Sequence, residues 1–235
     1  MLIQILENWC VENNIPINEK QKSDFEIYAK MLVEWNKKMN LTSITQENEI
    51  AIKHFIDSIS VIKYLNLNKN ASLIDIGTGA GFPGIPIKIM YPDMKLTLLD
   101  SLNKRLIFLN EVCNLINVKA DIVHARAEEL SQKDNYREKF DYAISRAVAN
   151  LPSLCEYCMP YVKKGGLFIS MKGSDGEKEL SLAKNAVSVL GGKFEKLYQF
   201  YLPDESMRSI ITISKVSTTP AKYPRRGTKI SKNPL

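Results

Sequence analysis

The sequence predicts an α/β domain whose mostly parallel, seven-stranded sheet ends in an antiparallel hairpin and is preceded by helices. Three observations support this prediction. Apolar residues before about residue 66 follow helical spacing, short β-like runs alternate with helical ones from about residue 70, and the last two β-like runs follow each other without a helix. The 235 residues are 45% hydrophobic, which is enough for one globular core without disulfides.

Residues 1–66 are expected to form an N-terminal helical extension that packs on the core. One apolar helix face is predicted from residues three or four apart, namely Phe25, Tyr28, Leu32, Trp35 and Met39. A second face follows from Ile52, Phe55, Ile59 and Ile62. The polar stretch Asn40–Ser43 between the two predicts a turn.

Residues 67–216 are expected to hold the sheet. Five parallel strands are predicted at Leu73–Ile76, Leu96–Leu99, Asp121–His124, Tyr142–Ser145 and Leu167–Met171. Helical patterns between them indicate βαβ units with helices on both faces of the sheet. The closing runs Phe194–Tyr201 and Ile210–Ser214 are joined by a loop, so they predict an antiparallel pair.

Composition excludes several classes of protein. No apolar run is long enough to span a membrane and no signal pattern opens the chain, so we expect a cytoplasmic protein without a membrane partner. No metal site is predicted, because only two histidines occur and Cys155 and Cys158 form a lone C-x-x-C in a helical pattern. We expect these two cysteines to lie in the core.

A glycine-rich turn after the first strand predicts a nucleotide-type cofactor site. Asp75 precedes Gly77, Gly79 and Gly81, and a helical pattern follows. Glycines let a ligand approach the backbone, and Asp100 at the end of the second strand suits ribose hydroxyls. The loop formally fits NAD or the adenosine of S-adenosylmethionine. A dinucleotide enzyme needs a second half-site, for which this chain leaves no room, so S-adenosylmethionine is favoured.

The chain resembles the RsmG (GidB) family of bacterial methyltransferases over nearly its whole length. The motifs that carry the resemblance are Trp35–Thr42, Lys53–Ser58, Leu73–Gly84, Leu98–Arg105, Arg126–Glu129, Ser145–Ala147, Met171–Gly173 and Lys222–Arg226. The resemblance implies a Rossmann-like class I methyltransferase fold. It also implies S-adenosylmethionine-dependent methylation of N7 of guanine 527 in 16S ribosomal RNA. In this family the cofactor-contacting positions correspond to Gly77, Phe82, Ala127, Glu128 and Arg146.

Basic residues near the same sheet edge predict contacts with RNA. Arg126, Arg146, Lys172 and Arg208 are expected to line the mouth of the site, since they follow strands three, four and five or precede the last strand. The tail 217–235 carries no acid, and its Lys222, Arg225 and Arg226 are expected to bind RNA phosphates. The predicted partner is 16S ribosomal RNA, in the small subunit or an assembly intermediate, bound by a monomer.

No general base is predicted, since guanine N7 bears no proton. Asn40, His54 and Asp57 are instead expected to form a polar rim beside the cofactor, and Phe82 or Tyr142 to stack on the target guanine. Two alternatives remain open from the sequence. One is an NAD-dependent oxidoreductase that uses His54 or His124 as a proton relay, and the other is a non-catalytic RNA-binding module.

Overall fold

A computed structural model describes all 235 residues and contains one seven-stranded sheet in the order β3-β2-β1-β4-β5-β7-β6. The strands are β1 (Ser72–Ile76), β2 (Lys95–Asp100), β3 (Ala120–His124), β4 (Phe140–Arg146), β5 (Val162–Lys172), β6 (Gly192–Tyr201) and β7 (Met207–Lys215). Each predicted strand is present, with bounds that differ from the prediction by a few residues at most, except for a longer start of β5.

The strand directions also match the prediction. Strands β1 to β5 are mutually parallel, and β7 runs antiparallel to both β5 and β6. Lys172 at the end of β5 pairs with Ser209 near the start of β7. This register brings Arg208 to the sheet edge at which β4 and β5 end.

Eleven α-helices, a π-helix and a short 3₁₀ helix accompany the sheet. The α-helices are α1 (Leu2–Glu12), α2 (Glu19–Met39), α3 (Glu47–Glu49), α4 (Asp57–Tyr64), α5 (Gly84–Met90), α6 (Asn103–Leu115), α7 (Ala127–Leu130), α8 (Leu151–Cys158), α9 (Gly176–Leu182), α10 (Lys184–Val189) and α11 (Gly227–Lys232). The π-helix spans Ile50–Ile56 and the 3₁₀ helix Met159–Tyr161. None of the helices is long and apolar enough to cross a membrane.

The N-terminal helices share one apolar core with the sheet. Asn18 and Gln21 cap α2 reciprocally, which satisfies backbone donors at its start. Phe25, Tyr28 and Leu32 on α2 are fully buried in a cluster that also contains residues of β1, β4 and β5. The predicted packing of this extension on the core is therefore present.

The helix over Ile50–Ile56 differs from the regular α-helix that the spacing predicts. It is wound as a π-helix that continues directly into α4. Such wider turns are rare and occur frequently at functional sites. The apolar residues Phe55 and Ile59, on which the prediction of a helix rested, are buried in this arrangement.

The opposite face of the sheet carries a second apolar cluster, as expected when consecutive strand residues alternate. This cluster is formed with α8, α10 and Tyr223 of the C-terminal segment. Cys155 and Cys158 lie fully buried in it, which confirms their prediction as core residues. Burial raises the pKa of the Cys155 thiol to about 12.

Candidate active site

A cleft of about 900 Å³ opens at the carboxyl ends of β1, β2 and β3. Ligand pockets in proteins range from about 300 to 1,000 Å³, so a nucleoside-sized cofactor fits. The cleft is lined by Gly77, Asp100, Ala127 and Glu128, four of the residues predicted to bind a cofactor. It lies where open parallel sheets generally bind ligands.

The three loop glycines have different surroundings, although all three have positive φ angles. A Cβ at Gly77 would lie 2.5 Å from Cγ2 of Val148, so this position admits no side chain. A Cβ at Gly79 would meet nothing within 4 Å, which leaves open space for a ligand. At Gly81 the same space is taken by the Tyr28 hydroxyl and Ile85. This side of Gly81 therefore faces the protein interior, and neither Gly79 nor Gly81 is among the residues that line the cleft, so their contact with a cofactor stays a prediction.

Asp75 holds the two ends of the glycine loop together. Its Oδ2 accepts hydrogen bonds from the Thr78 hydroxyl at 2.7 Å and from the Gly84 backbone N–H at 2.8 Å. Its Oδ1 is buried without a partner. Burial of the carboxyl group raises the pKa of Asp75 to about 6.

Asp100 joins the same loop to the end of β2. Its Oδ2 accepts from the Gly79 N–H at 2.9 Å and from Arg105 at 3.1 Å, and its Oδ1 accepts from the Leu102 N–H at 2.9 Å. A carboxylate has about four acceptor sites, so one remains available on this cleft-lining residue. This carboxylate lies at the position expected for a group that binds ribose hydroxyls.

Beside the cleft, five predicted residues come together in what we call the arginine cluster, composed of His54, Asp57, Phe82, Arg146 and Arg208. The carboxylate of Asp57 accepts from Arg146 at 2.7 Å and lies 3.3 Å from Nε of Arg208. The Arg146 guanidinium lies 5.2 Å from the centre of the Phe82 ring. Neither Phe82 nor Arg146 lines the cleft itself.

His54 is a neutral member of this cluster. Its ring stacks on Phe82 with centroids 4.4 Å apart, and its Nε2 lies 2.9 Å from the Thr42 hydroxyl. Its Nδ1 is buried without a partner. Burial and then the nearby Arg146 charge lower the pKa of His54 to about 3, so the ring is uncharged near neutral pH. No role was predicted for Thr42, although this residue ends the motif Trp35–Thr42.

Asn40 is exposed, ends α2 in the left-handed conformation, and makes no side-chain hydrogen bond to the arginine cluster, so its place in a polar rim stays a prediction. Two predicted stacking roles are contradicted. Phe82 cannot stack on a guanine, because it lies between Tyr28 and His54 with 6% exposure. Tyr142 lies near the start of β4, at the opposite sheet edge, where its hydroxyl accepts from the Asn68 N–H at 3.1 Å.

The predicted RNA contacts divide into exposed and internally paired residues. Arg126, Lys222 and Arg226 are exposed. Lys172 lies 2.7 Å from the Glu179 carboxylate with 8% of its side chain exposed, and Arg225 lies 2.7 Å from the buried Glu156. Both pairings contradict an RNA-facing role, because these charges are already neutralised inside the protein. Glu156 was missed, although a single acid in the apolar run of α8 signals a buried partner.

Comparison with known proteins places this geometry in a family. A profile of the family described as "rRNA small subunit methyltransferase G" matches residues 21–207. A protein named ribosomal RNA small subunit methyltransferase G from Acetivibrio thermocellus is 52% identical over 223 residues, which cover 94% of this chain and 91% of the relative. The protein of that name from Staphylococcus aureus is 46% identical over 237 residues, covering 100% and 99% of the two chains.

Solved structures agree on the fold. M. jannaschii TYW2, solved in complex with AdoMet, superposes with a TM-score of 0.53 at 13% identity, covering 68% of this chain and 77% of that one. A precorrin-6y C5,15-methyltransferase from Geobacter metallireducens gives a TM-score of 0.50 at 18% identity, covering 67% and 87%. The sheet is thus a Rossmann-like class I methyltransferase fold. With the family profile and the full-length relatives, it follows that the chain belongs to the rRNA small subunit methyltransferase G family.

Proposed function

We propose that this protein transfers a methyl group from S-adenosylmethionine to N7 of guanine 527 in 16S ribosomal RNA. One observation carries the proposal. In a chain of this family, the cleft of about 900 Å³ at the ends of β1 to β3 is lined by Gly77 of the glycine loop, Asp100 and the first turn of α7. An adenosine-sized ligand with ribose hydroxyls suits that combination of open backbone and carboxylate.

The residues present fit S-adenosylmethionine. The open space at Gly79 permits close approach to the backbone, and Asp100 has acceptor capacity left for a ribose hydroxyl. Ala127 and Glu128 form the far wall at the start of α7, where backbone N–H groups are free of helical partners. When bound, the cofactor supplies a methyl group on a positively charged sulfur.

The chemistry requires positioning rather than proton transfer. Guanine N7 is a lone-pair acceptor without a proton, so no base has to remove one. The arginine cluster agrees with this requirement, because His54 is neutral and Asp57 is held by two arginines. Arg146 also donates to the backbone carbonyl of Lys53 at 3.2 Å, so its guanidinium has a defined orientation beside the cleft. Holding the two reacting atoms in near-attack geometry can supply a large part of the rate enhancement of a methyl transfer.

Exposed cations around the cleft supply the RNA-binding surface. Arg126 and Arg226 line the cleft and Lys222 lies nearby in the C-terminal segment, all exposed. Phosphate contacts of this kind orient an RNA without reading its sequence. Because A-form RNA buries N7 in a deep, narrow groove, the target guanine has to be unstacked to reach the cofactor.

Two other functions are less well supported. An NAD-dependent oxidoreductase needs a proton relay near the cofactor, but His54 is neutral and buried, and Nε2 of the other histidine, His124, lies 3.0 Å from the Ser101 carbonyl at the outside of the sheet. A non-catalytic RNA-binding module does not require the open space at Gly79.

Transfer of labelled methyl groups tests the proposal. Small subunits and naked 16S ribosomal RNA from a strain lacking this activity are incubated with the protein and labelled S-adenosylmethionine, and the product base is identified by mass spectrometry. We expect 7-methylguanosine at position 527. Label at another base would contradict the site specificity. Binding of RNA without any transfer would favour the non-catalytic module, and calorimetric binding of NAD instead of S-adenosylmethionine would favour the oxidoreductase.

A further inference from the structure

The C-terminal segment, residues 219–235, folds back over the cleft instead of extending as a free arm. Six of its residues line the cleft, namely Pro224, Arg225, Arg226, Gly227, Thr228 and Ser231. They face a cleft whose other lining includes Gly77, Asp100 and Ala127. The segment therefore completes one side of the pocket that the first three strands begin.

A buried ion pair fixes the middle of the segment. Arg225 donates from Nε to Oε1 of Glu156 at 2.9 Å and from Nη2 to Oε2 at 2.7 Å, and its backbone N–H donates to Oε1 at 2.7 Å. Glu156 lies on α8 and is fully buried. A buried carboxylate without a partner is very costly, so the segment and α8 stabilise each other in this arrangement.

Further contacts hold the segment on both sides of that pair. Arg137 donates to the carbonyls of Thr219 at 2.9 Å and Tyr223 at 3.0 Å. Gln132 donates to the carbonyl of Pro224 at 3.0 Å. Beyond the pair, Ile230 of α11 is fully buried. These are the contacts of a docked element, not of a frayed terminus.

The segment also touches a predicted cofactor residue directly. At Gly227 a Cβ would lie 2.1 Å from Oε1 of Glu128, so a side chain at this position would displace the Glu128 carboxylate. Glu128 is thus confined between the segment and the cleft. Any displacement of the segment changes the space available to the Glu128 carboxylate.

We propose that residues 219–235 form one wall of the S-adenosylmethionine site and that the Arg225–Glu156 ion pair anchors this wall. The affinity for the cofactor then depends on the docked C-terminal segment. This inference rests on the proposed function. It replaces the expectation that Arg225 serves RNA phosphates, and it makes Arg225 a positioning residue that acts through the wall.

Calorimetric titration of the full-length protein with S-adenosylmethionine, in the absence of RNA, tests the wall. Arg225→Gln removes the anchor, and we expect cofactor affinity to fall by about tenfold or more. Lys229→Gln is the matched control, because it removes one positive charge from the same segment at an exposed position outside the cleft lining. We expect the control to bind the cofactor within about twofold of wild type.

A second variant keeps the test decisive if Arg225→Gln fails to fold. Thr228→Trp adds bulk at an exposed, cleft-lining position without removing a buried contact, and we expect at least a tenfold loss of cofactor affinity with unchanged thermal stability. If Thr228→Trp or a folded Arg225→Gln bound S-adenosylmethionine with wild-type affinity, the proposal that the segment forms a wall of the site would be wrong. Failure of the wild-type protein itself to bind S-adenosylmethionine would instead overturn the proposed function.

Discussion

The cleft and the arginine cluster lie side by side at one sheet edge, yet their polar groups are arranged in opposite ways. In the cluster, Asp57 neutralises Arg146 and Arg208, and Phe82 is covered by rings. In the cleft, Arg126 and Arg226 are exposed, and the space at Gly79, which donates to the cleft-lining Asp100, is open. One region has satisfied its charges internally, whereas the other leaves groups available for ligands.

This difference shows that a positive charge at this sheet edge does not by itself identify a binding surface. Arg208 and Arg226 carry the same charge, but the first already has a carboxylate partner and the second is exposed at the cleft. The first therefore contributes to shape and rigidity near the site, and the second to attraction of polyanions. Substitutions in each region test the two against each other.

Removal of the central carboxylate of the cluster should have the largest effect. Asp57→Ala leaves two mostly buried guanidinium groups without a carboxylate partner, and we expect it to lower the free energy of unfolding by about 3 kcal/mol or more. Urea denaturation measures the change. Glu26→Ala is the control, because it breaks an exposed pair with Lys30 and should cost less than about 1 kcal/mol. An equal loss of unfolding free energy in the two variants would show that Asp57 does not neutralise the two arginines of the cluster.

The contribution of Asp75, which holds the glycine loop together, to the free energy of unfolding should depend on pH. Its folded pKa of about 6 exceeds the ordinary 3.8, so the folded state holds the proton more tightly and the contribution to stability falls as pH rises from about 4 to about 6. Asp75→Asn keeps an acceptor for Thr78 and Gly84 but never ionises. Relative to this variant, wild type should lose about 3 kcal/mol between pH 4 and pH 7, measured by denaturation at each pH. A difference that does not change with pH would contradict burial as the cause.

Substitution of two glycines tests whether a ligand occupies the open space at Gly79. Gly79 and Gly165 both have positive φ, and a Cβ at either position would meet no atom within 4 Å. Replacement of either by Ala should therefore cost about 1–2 kcal/mol from backbone strain alone. Only Gly79→Ala should also weaken binding of S-adenosylmethionine in calorimetry, since Gly79 donates to the cleft-lining Asp100 whereas Gly165 lies in β5. Equal cofactor affinity in both variants would count against a ligand at Gly79.

The smallest expected effect concerns RNA affinity and salt. Arg226→Gln removes an exposed cation at the cleft, so the slope of log affinity against log salt should decrease by about 0.7–0.9 for a single-stranded or duplex contact. Arg208→Gln should change the slope less, because Asp57 already compensates that charge. Filter binding of 16S ribosomal RNA fragments over a range of salt measures both. A larger slope change for Arg208 would reverse the proposed distinction between the two regions.

The sequence allowed prediction of all seven strands and of part of the cleft. Strand alternation and a run of glycines are local signals, and the carboxyl ends of parallel strands meet at one edge whatever the rest of the chain does. For this reason Gly77 and Asp100 could be assigned to one site from the pattern, whereas Ala127 and Glu128 were assigned to it only through the family resemblance. The predictions that were wrong concern guanine stacking by Phe82 or Tyr142 and RNA contacts by Lys172 and Arg225, where the direction or partner of a side chain decides its role.

What the sequence by itself determined is the order of strands and helices along the chain and the edge at which we propose that a cofactor binds, because both follow from periodicity and from the conformations that glycine permits. Only the tertiary structure decided which charges are free. Asp57 pairs with Arg146 across 89 residues of chain, and Glu156 on α8 pairs with a residue 69 positions later. Pairing over such separations depends on which side chains packing brings together in a low-dielectric interior, and no local pattern specifies that choice.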